Sequence, residues 1–96
     1  MRICCVQMDM LPAKPDRNFA HAEELIRRAV ESERPDVVVL PETWNTGFAP
    51  RKIASALADE DGERTRNVFS ALAKELDVNI VAGSVANRRG GKLYNT

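Results

Sequence analysis

Val37-Val38-Val39-Leu40-Pro41-Glu42 carries a carboxylate to the end of an apolar run, and a carboxylate so placed can serve as a general acid or base. Three β-branched residues followed by a leucine read as a short buried strand. Pro41 has no N–H to offer a sheet ladder, so the strand is expected to stop there. Glu42 then stands just past a strand end, where open α/β sheets place ligands and catalytic groups. A carboxylate between a proline and the bulky segment Thr43-Trp44-Asn45-Thr46-Gly47-Phe48 is expected to lose hydration, which suits it to general-base work. Phe48 and Trp44 are candidate substrate-binding residues, because small-molecule sites are mostly apolar with a few polar groups. Gly47 supplies backbone freedom for a turn. Asn45 is expected to bond its own loop backbone, a habit of Asn in turns.

The surrounding periodicities predict the elements that must hold this loop. A first strand is expected over Arg2–Met8, then a loop with two prolines to Pro15. Asp16 is a candidate N-cap for a helix reaching about Glu33, with Phe19, Ala22, Ile26, Ala29 and Val30 as its buried stripe and Leu25 at its edge. His21 falls off that stripe and reads as a solvated residue. Arg34-Pro35-Asp36 ends the helix ahead of the strand Val37–Leu40. Beyond Phe48, the pattern predicts a short helix over Pro50–Leu57 and a turn at Asp59–Gly62. A helix over Glu63–Leu76 follows, burying Phe69, Leu72, Ala73 and Leu76. A strand over Val78–Val85, a turn over Asn87–Gly91 and a strand from Lys92 to Thr96 follow in order. This β-α-β-α-β order implies an α/β fold with right-handed crossovers, closing on the start of an antiparallel hairpin. The strands are apolar at nearly every position, so both sheet faces expect cover. Two helices can hardly supply it, and the chain reads as a piece of something larger.

Bulk composition removes several function classes. Ninety-six residues make at most one small domain. Fourteen basic and fourteen acidic residues cancel, leaving no long-range field to favour nucleic acid or a membrane surface. No apolar run approaches a membrane span, and no signal-peptide layout opens the chain, so a cytoplasmic location is expected. Cys4 and Cys5 point to opposite faces of a strand and read as small buried hydrophobes in a reducing compartment. No His or Cys pair has metal-ligand spacing, so no metal is expected. A nucleotide-binding module is disfavoured, since the loop after the first strand has no glycine and no G-x-G-x-x-G pattern occurs.

Leu40-Pro41-Glu42-Thr43-Trp44-Asn45-Thr46-Gly47-Phe48 resembles the glutamate motif of the nitrilase superfamily of carbon–nitrogen hydrolases. Ile3-Cys4-Cys5-Val6-Gln7-Met8 resembles that family's opening strand, Ile80-Val81-Ala82-Gly83-Ser84 its third strand, and Leu93-Tyr94-Asn95-Thr96 the start of the next hairpin. The resemblance implies the N-terminal part of an α-β-β-α sandwich, with residues 1–96 as a truncated portion of one domain. It also implies a Glu-Lys-Cys triad in which Glu42 is the general base, and a small-molecule amide as substrate. A cysteine thiol attacks the amide carbon, a lysine stabilises the oxyanion, and ammonia departs from a thioester intermediate. That chemistry calls for no cofactor. Lys and Cys of the triad are expected outside this chain, in the remainder of the hydrolase, and a homo-oligomer is expected when complete. Lys14, Lys52, Lys74 and Lys92 match no motif of the family, and Cys4 and Cys5 lie inside a strand rather than past its end. Asn95 reads as structural. Trp44-Asn45-Thr46-Gly47-Phe48 is similar to the ω-amidase-like branch, which implies a short 2-oxo acid monoamide as substrate, its second carboxylate read by residues beyond Thr96. The alternative is a non-catalytic α/β interaction domain that retains the scaffold only.

Overall fold

A computed structural model describes residues Met1–Thr96. The elements run β1 (Ile3–Cys5), α1 (Pro15–Glu33), β2 (Val37–Val39), α2 (Arg51–Leu57), β3 (Asp59–Glu60), α3 (Glu63–Leu76), β4 (Asn79–Val81), β5 (Ala86–Arg89) and β6 (Lys92–Asn95). The α/β order expected from the periodicities is present, with two additional short strands, β3 and β5.

Strands β1, β2 and β4 form a parallel sheet in that order, with Cys4, Val38 and Ile80 in register across it. Both crossovers step across the sheet in the same direction. A right-handed connection therefore lays α1 and α3 on one face. Val38 on that face is wholly buried, among Phe19, Ala22 and Ile26 of α1 and Phe69 and Leu72 of α3. The opposite face carries Ile3, Cys5, Val37, Val39 and Val81, and Ile3 and Val81 are each more than half exposed. Cys5 is exposed there and Cys4 only half-buried, so the expected burial of both thiols is not met. No helix is long and apolar enough to cross a membrane.

Helix α1 starts two residues earlier than the capping pattern suggests, with Lys14 rather than Asp16 at the N-cap. Pro15 occupies its first turn, where a missing N–H costs nothing, and no side chain caps Lys14. Asp16 sits inside that turn and pairs with Arg64 of α3 at 2.7 Å instead. Both long helices end on a left-handed residue whose N–H returns to the last turn, Arg34 to Val30 and Asp77 to Ala73.

The strands are shorter than their apolar runs. Val6 still donates to the Val39 carbonyl at 2.8 Å, but β2 then bends away at Pro41 and β1 loses its partner. β4 ends at Val81 because Gly83 takes a left-handed conformation, φ +60°, where the chain crosses the Pro41 carbonyl. Residues 59–60, expected to be plain turn, instead pair in parallel with Asn87-Arg88. Buried Asp59 explains this: its carboxylate accepts from the Arg64 and Thr65 amides at 3.0 and 2.8 Å and from the Thr65 hydroxyl at 2.6 Å. Anchoring the first turn of α3 in this way holds the residue's backbone extended against β5. An antiparallel hairpin forms as expected, but its first arm is β5, with Ala86 opposite Asn95: Asn87–Arg89, expected as turn, pair with β6 and leave only Gly90-Gly91 to turn.

Candidate active site

The loop after β2 is tied down on every side, and Glu42 is the part left open. Leu40 donates to the Val81 carbonyl at 2.9 Å, which carries the chain past the sheet edge. Ser84 then grips three residues around Glu42. Its amide donates to the Pro41 carbonyl at 3.3 Å, its hydroxyl accepts from the Thr43 amide at 2.9 Å, and its carbonyl accepts from the Trp44 amide at 3.3 Å. Gly83 is what allows this approach. A Cβ on that residue would lie 2.0 Å from the Pro41 oxygen.

Thr43 has φ +46°, a left-handed conformation that a β-branched residue adopts only under constraint. Its hydroxyl oxygen is buried without a hydrogen-bond partner. Strain of this kind costs on the order of 1–3 kcal/mol and is stored mainly at functional sites. The bonds from Ser84 hold it in place, together with a Gly47 amide donating to the Thr43 carbonyl at 2.9 Å. Gly47 itself has φ +64°, the turn role expected of it.

The far side of the loop is held from two more elements. Buried Asn45 accepts from the Ala86 amide at 2.8 Å and donates to the Ala86 carbonyl at 3.0 Å, reading the backbone of β5 as a paired strand would. It was expected to bond its own loop; its full burial directs both groups across to β5 instead. Asn18 of α1, also buried, donates to the Asn45 carbonyl and closes the loop from the helix side at 2.9 Å.

Asn95 of β6 completes the arrangement. Its Nδ2 donates to Glu42 Oε1 at 2.8 Å, while Glu42 Oε2 accepts no hydrogen bond from the chain. One carboxylate oxygen is thus fixed and the other is free to take a proton. Glu42 is exposed, so the dehydration expected from its neighbours does not arise among these residues. The reason lies in where the two aromatic side chains go.

Trp44 turns into the core. It is 0% exposed, meets Phe19 and Phe69 edge-on at 4.6 and 5.3 Å between ring centroids, and donates Nε1–H to the Ala82 carbonyl at 2.8 Å. Burying an indole of this kind is worth ~4–6 kcal/mol at about 25 cal/mol per Å². Trp44 therefore packs the loop onto the helices and does not face the cavity, which corrects its candidate role as a pocket residue. Phe48 points the other way and is 80% exposed. It lines an open cavity of about 380 Å³ together with Thr43, Arg51, Ala86, Leu93, Tyr94 and Asn95. Two of these are the chain neighbour and the hydrogen-bond partner of Glu42.

A separate hollow of about 430 Å³ between the first loop and α1 includes Asp9, Arg17, Asn18, His21 and Glu24. It shares no residue with the Glu42 cavity, and its buried Asn18 amide is already satisfied by Leu11 and Asn45. His21 is half-buried at its rim. No group of three or more His, Cys, Asp or Glu side chains could hold a metal ion.

Asn95, Ser84 and Gly83 join the site only through the fold. Asn95 had a signal, its place in the Tyr94-Asn95-Thr96 segment. Gly83-Ser84 stand in the segment that resembles the family's third strand, but nothing local marks their contact, because their partner is a backbone bend at Pro41.

A parallel sheet ending in a pinned loop, with a carboxylate presented beside a cavity, defines the class: the chain belongs to the carbon–nitrogen hydrolase family, whose family model matches residues 2–96. Among individual proteins it is 44% identical over 94 residues to the 2-oxoglutaramate amidase of Bacillus subtilis (strain 168), a match covering 98% of this chain and 35% of that protein. It is 35% identical over 95 residues to the omega-amidase NIT2 of Danio rerio, covering 99% of this chain and 33% of that protein. A nitrilase of Pyrococcus abyssi (strain GE5 / Orsay) is 35% identical over 100 residues, covering 100% of this chain and 37% of that protein. The chain spans roughly a third of the length of these relatives.

Proposed function

We propose that residues 1–96 form the opening part of an amidase that hydrolyses a non-peptide C–N bond, with Glu42 as its general base. The observation that carries this reading is the asymmetric grip on Glu42: Oε1 held by Asn95 and Oε2 left open, beside a cavity that Asn95 also lines. A lysine and a nucleophilic cysteine outside residues 1–96 complete the set. Glu42 takes the thiol proton as sulfur attacks the amide carbon, and the lysine ammonium stabilises the oxyanion. The tetrahedral intermediate collapses as Glu42 returns the proton to the departing nitrogen, which leaves as ammonia. Glu42 then deprotonates a water that cleaves the thioester, releasing the acid and the thiol.

The substrate we propose is a short 2-oxo acid monoamide. Support comes from the relatives named above, a 2-oxoglutaramate amidase and an omega-amidase, and from the open shape of the cavity. A cytoplasmic setting agrees with the two free thiols. The uncovered sheet face, with Ile3 and Val81 exposed, suits a second sheet from the rest of the hydrolase, and the complete enzyme is proposed to be a homo-oligomer. The same apolar face also favours one other reading, an interaction domain without catalysis.

The test is ammonia release from 2-oxoglutaramate by the full-length protein and its Glu42→Gln variant. The amide keeps the shape and cannot take a proton, so turnover should fall at least ~100-fold with the unfolding temperature unchanged. Near-wild-type turnover in Glu42→Gln removes the general-base assignment. A well-folded wild-type protein that releases no ammonia favours the interaction domain.

A further inference from the structure

Arg51 is the only charged side chain lining the cavity beside Glu42. The remainder of the wall is apolar or neutral, with Phe48, Leu93 and Tyr94 as its larger side chains. Arg51 is exposed and has no carboxylate partner. A guanidinium offers a planar fork of donors matched to the two oxygens of a carboxylate. An unpaired fork on an otherwise neutral, aromatic-lined cavity is suited to a small organic anion.

Glu42 adds a second constraint. Its carboxylate meets the cavity wall through Asn95 and Thr43. An anionic group brought beside it is repelled, while a neutral amide is not. A ligand with one carboxylate and one amide therefore has a single favourable orientation, acid toward Arg51 and amide toward Glu42. We propose that Arg51 receives the anionic end of the substrate, so that this site selects amides of short acids over neutral amides. This rests on the amidase reading above and extends it, since it puts carboxylate recognition within residues 1–96 rather than wholly beyond Thr96.

The experiment compares the full-length wild-type protein with Arg51→Met and Arg51→Lys on two substrates, 2-oxoglutaramate and the uncharged pentanamide. Arg51→Met should lower kcat/KM for 2-oxoglutaramate about tenfold, chiefly through KM, because one charge-assisted pair is lost. Its kcat/KM for pentanamide should stay within about twofold, and Arg51→Lys should recover part of the anionic preference as a point charge. Equal losses on both substrates, or no loss on either, overturn the proposal. A second arm does not need turnover: 2-oxoglutarate is titrated into the same proteins and followed by NMR. Its dissociation constant should rise about tenfold in Arg51→Met, with the Phe48 resonances shifting in the wild type. Unchanged affinity in that variant overturns the proposal. A wild-type protein that turns over neither substrate overturns the amidase reading, and the titration still decides the role of Arg51.

Discussion

Asn95, in the last strand, donates its carboxamide N–H to Oε1 of Glu42 at 2.8 Å, across 53 residues of chain. The bond is one link in a closed circuit. Asn95 pairs with Ala86 across the β5–β6 hairpin, Ala86 is held on both backbone groups by Asn45, and Asn45 belongs to the loop that carries Glu42. The hairpin is therefore a support for the carboxylate as well as a sheet edge.

Removing the donor should loosen the carboxylate without unfolding the chain, since Asn95 is exposed. Asn95→Ala in the full-length protein is expected to reduce kcat about tenfold, the value of one hydrogen bond to a charged group. Asn95→Asp should cost more, because a like charge would face Glu42. Steady-state ammonia release checks both, and an unaltered kcat in Asn95→Ala removes Asn95 from the positioning of Glu42.

Gly83 faces a harder constraint than any other glycine of the chain. A methyl group there would press on the Pro41 and Leu40 carbonyls at 2.0 and 2.6 Å, and the residue already has φ +60°. Gly83→Ala should destabilise the protein by at least ~2 kcal/mol, through backbone displacement and a strained φ together. Gly90→Ala meets open space and shares the positive φ, so it separates the two effects. Thermal or urea unfolding that gives equal losses for the pair would rule out the clash.

The two aromatic residues of the loop should answer differently to truncation. Trp44→Ala opens a cavity among Phe19 and Phe69 and leaves the Ala82 carbonyl without its donor, a loss of ~3–5 kcal/mol. Phe48→Ala, on an exposed side chain, should change stability by less than ~0.5 kcal/mol while weakening substrate binding. Urea unfolding beside KM measurements makes the comparison. A Phe48→Ala variant as unstable as Trp44→Ala overturns this division.

An ion pair links the two long helices. Arg27 bonds Glu75 of α3 and, at 3.2 Å, Glu23 of its own helix. The bond from Arg27 holds the Glu75 carboxyl below the ordinary glutamate range, against a smaller opposing effect of desolvation. A carboxyl depressed in the folded state stabilises that state above its unfolded pKa, and the stabilisation is lost as pH falls through the folded pKa. The pair is exposed, so its contribution is small and screened by salt. Glu75→Gln should lower stability slightly at neutral pH, and the difference from wild type should vanish in acid and at high salt. A difference that persists at low pH assigns the effect to packing.

Much of this was legible in local patterning. The apolar run Val37–Leu40, its stop by Pro41 and the place of Glu42 just beyond it depend on β-branching and a missing N–H, which act over a few residues. Helix α3 matches its expected span, Glu63–Leu76, because a 3.6-residue apolar stripe needs only a surface to bury against. The family resemblance likewise rests on contiguous residues around Glu42.

The tertiary structure decided what depends on residues distant in the chain. Trp44 and Phe48 are equally apolar on paper, and the packing of α1 and α3 beneath the loop draws one inward and leaves the other exposed. β3 exists because Asp59 anchors the start of α3, and Gly83 is irreplaceable because Pro41 passes over it. Asn95 reaches Glu42 only once the hairpin has closed. Side-chain direction past a strand end is set by whichever neighbours the sheet brings alongside. Local periodicity carries no record of those neighbours.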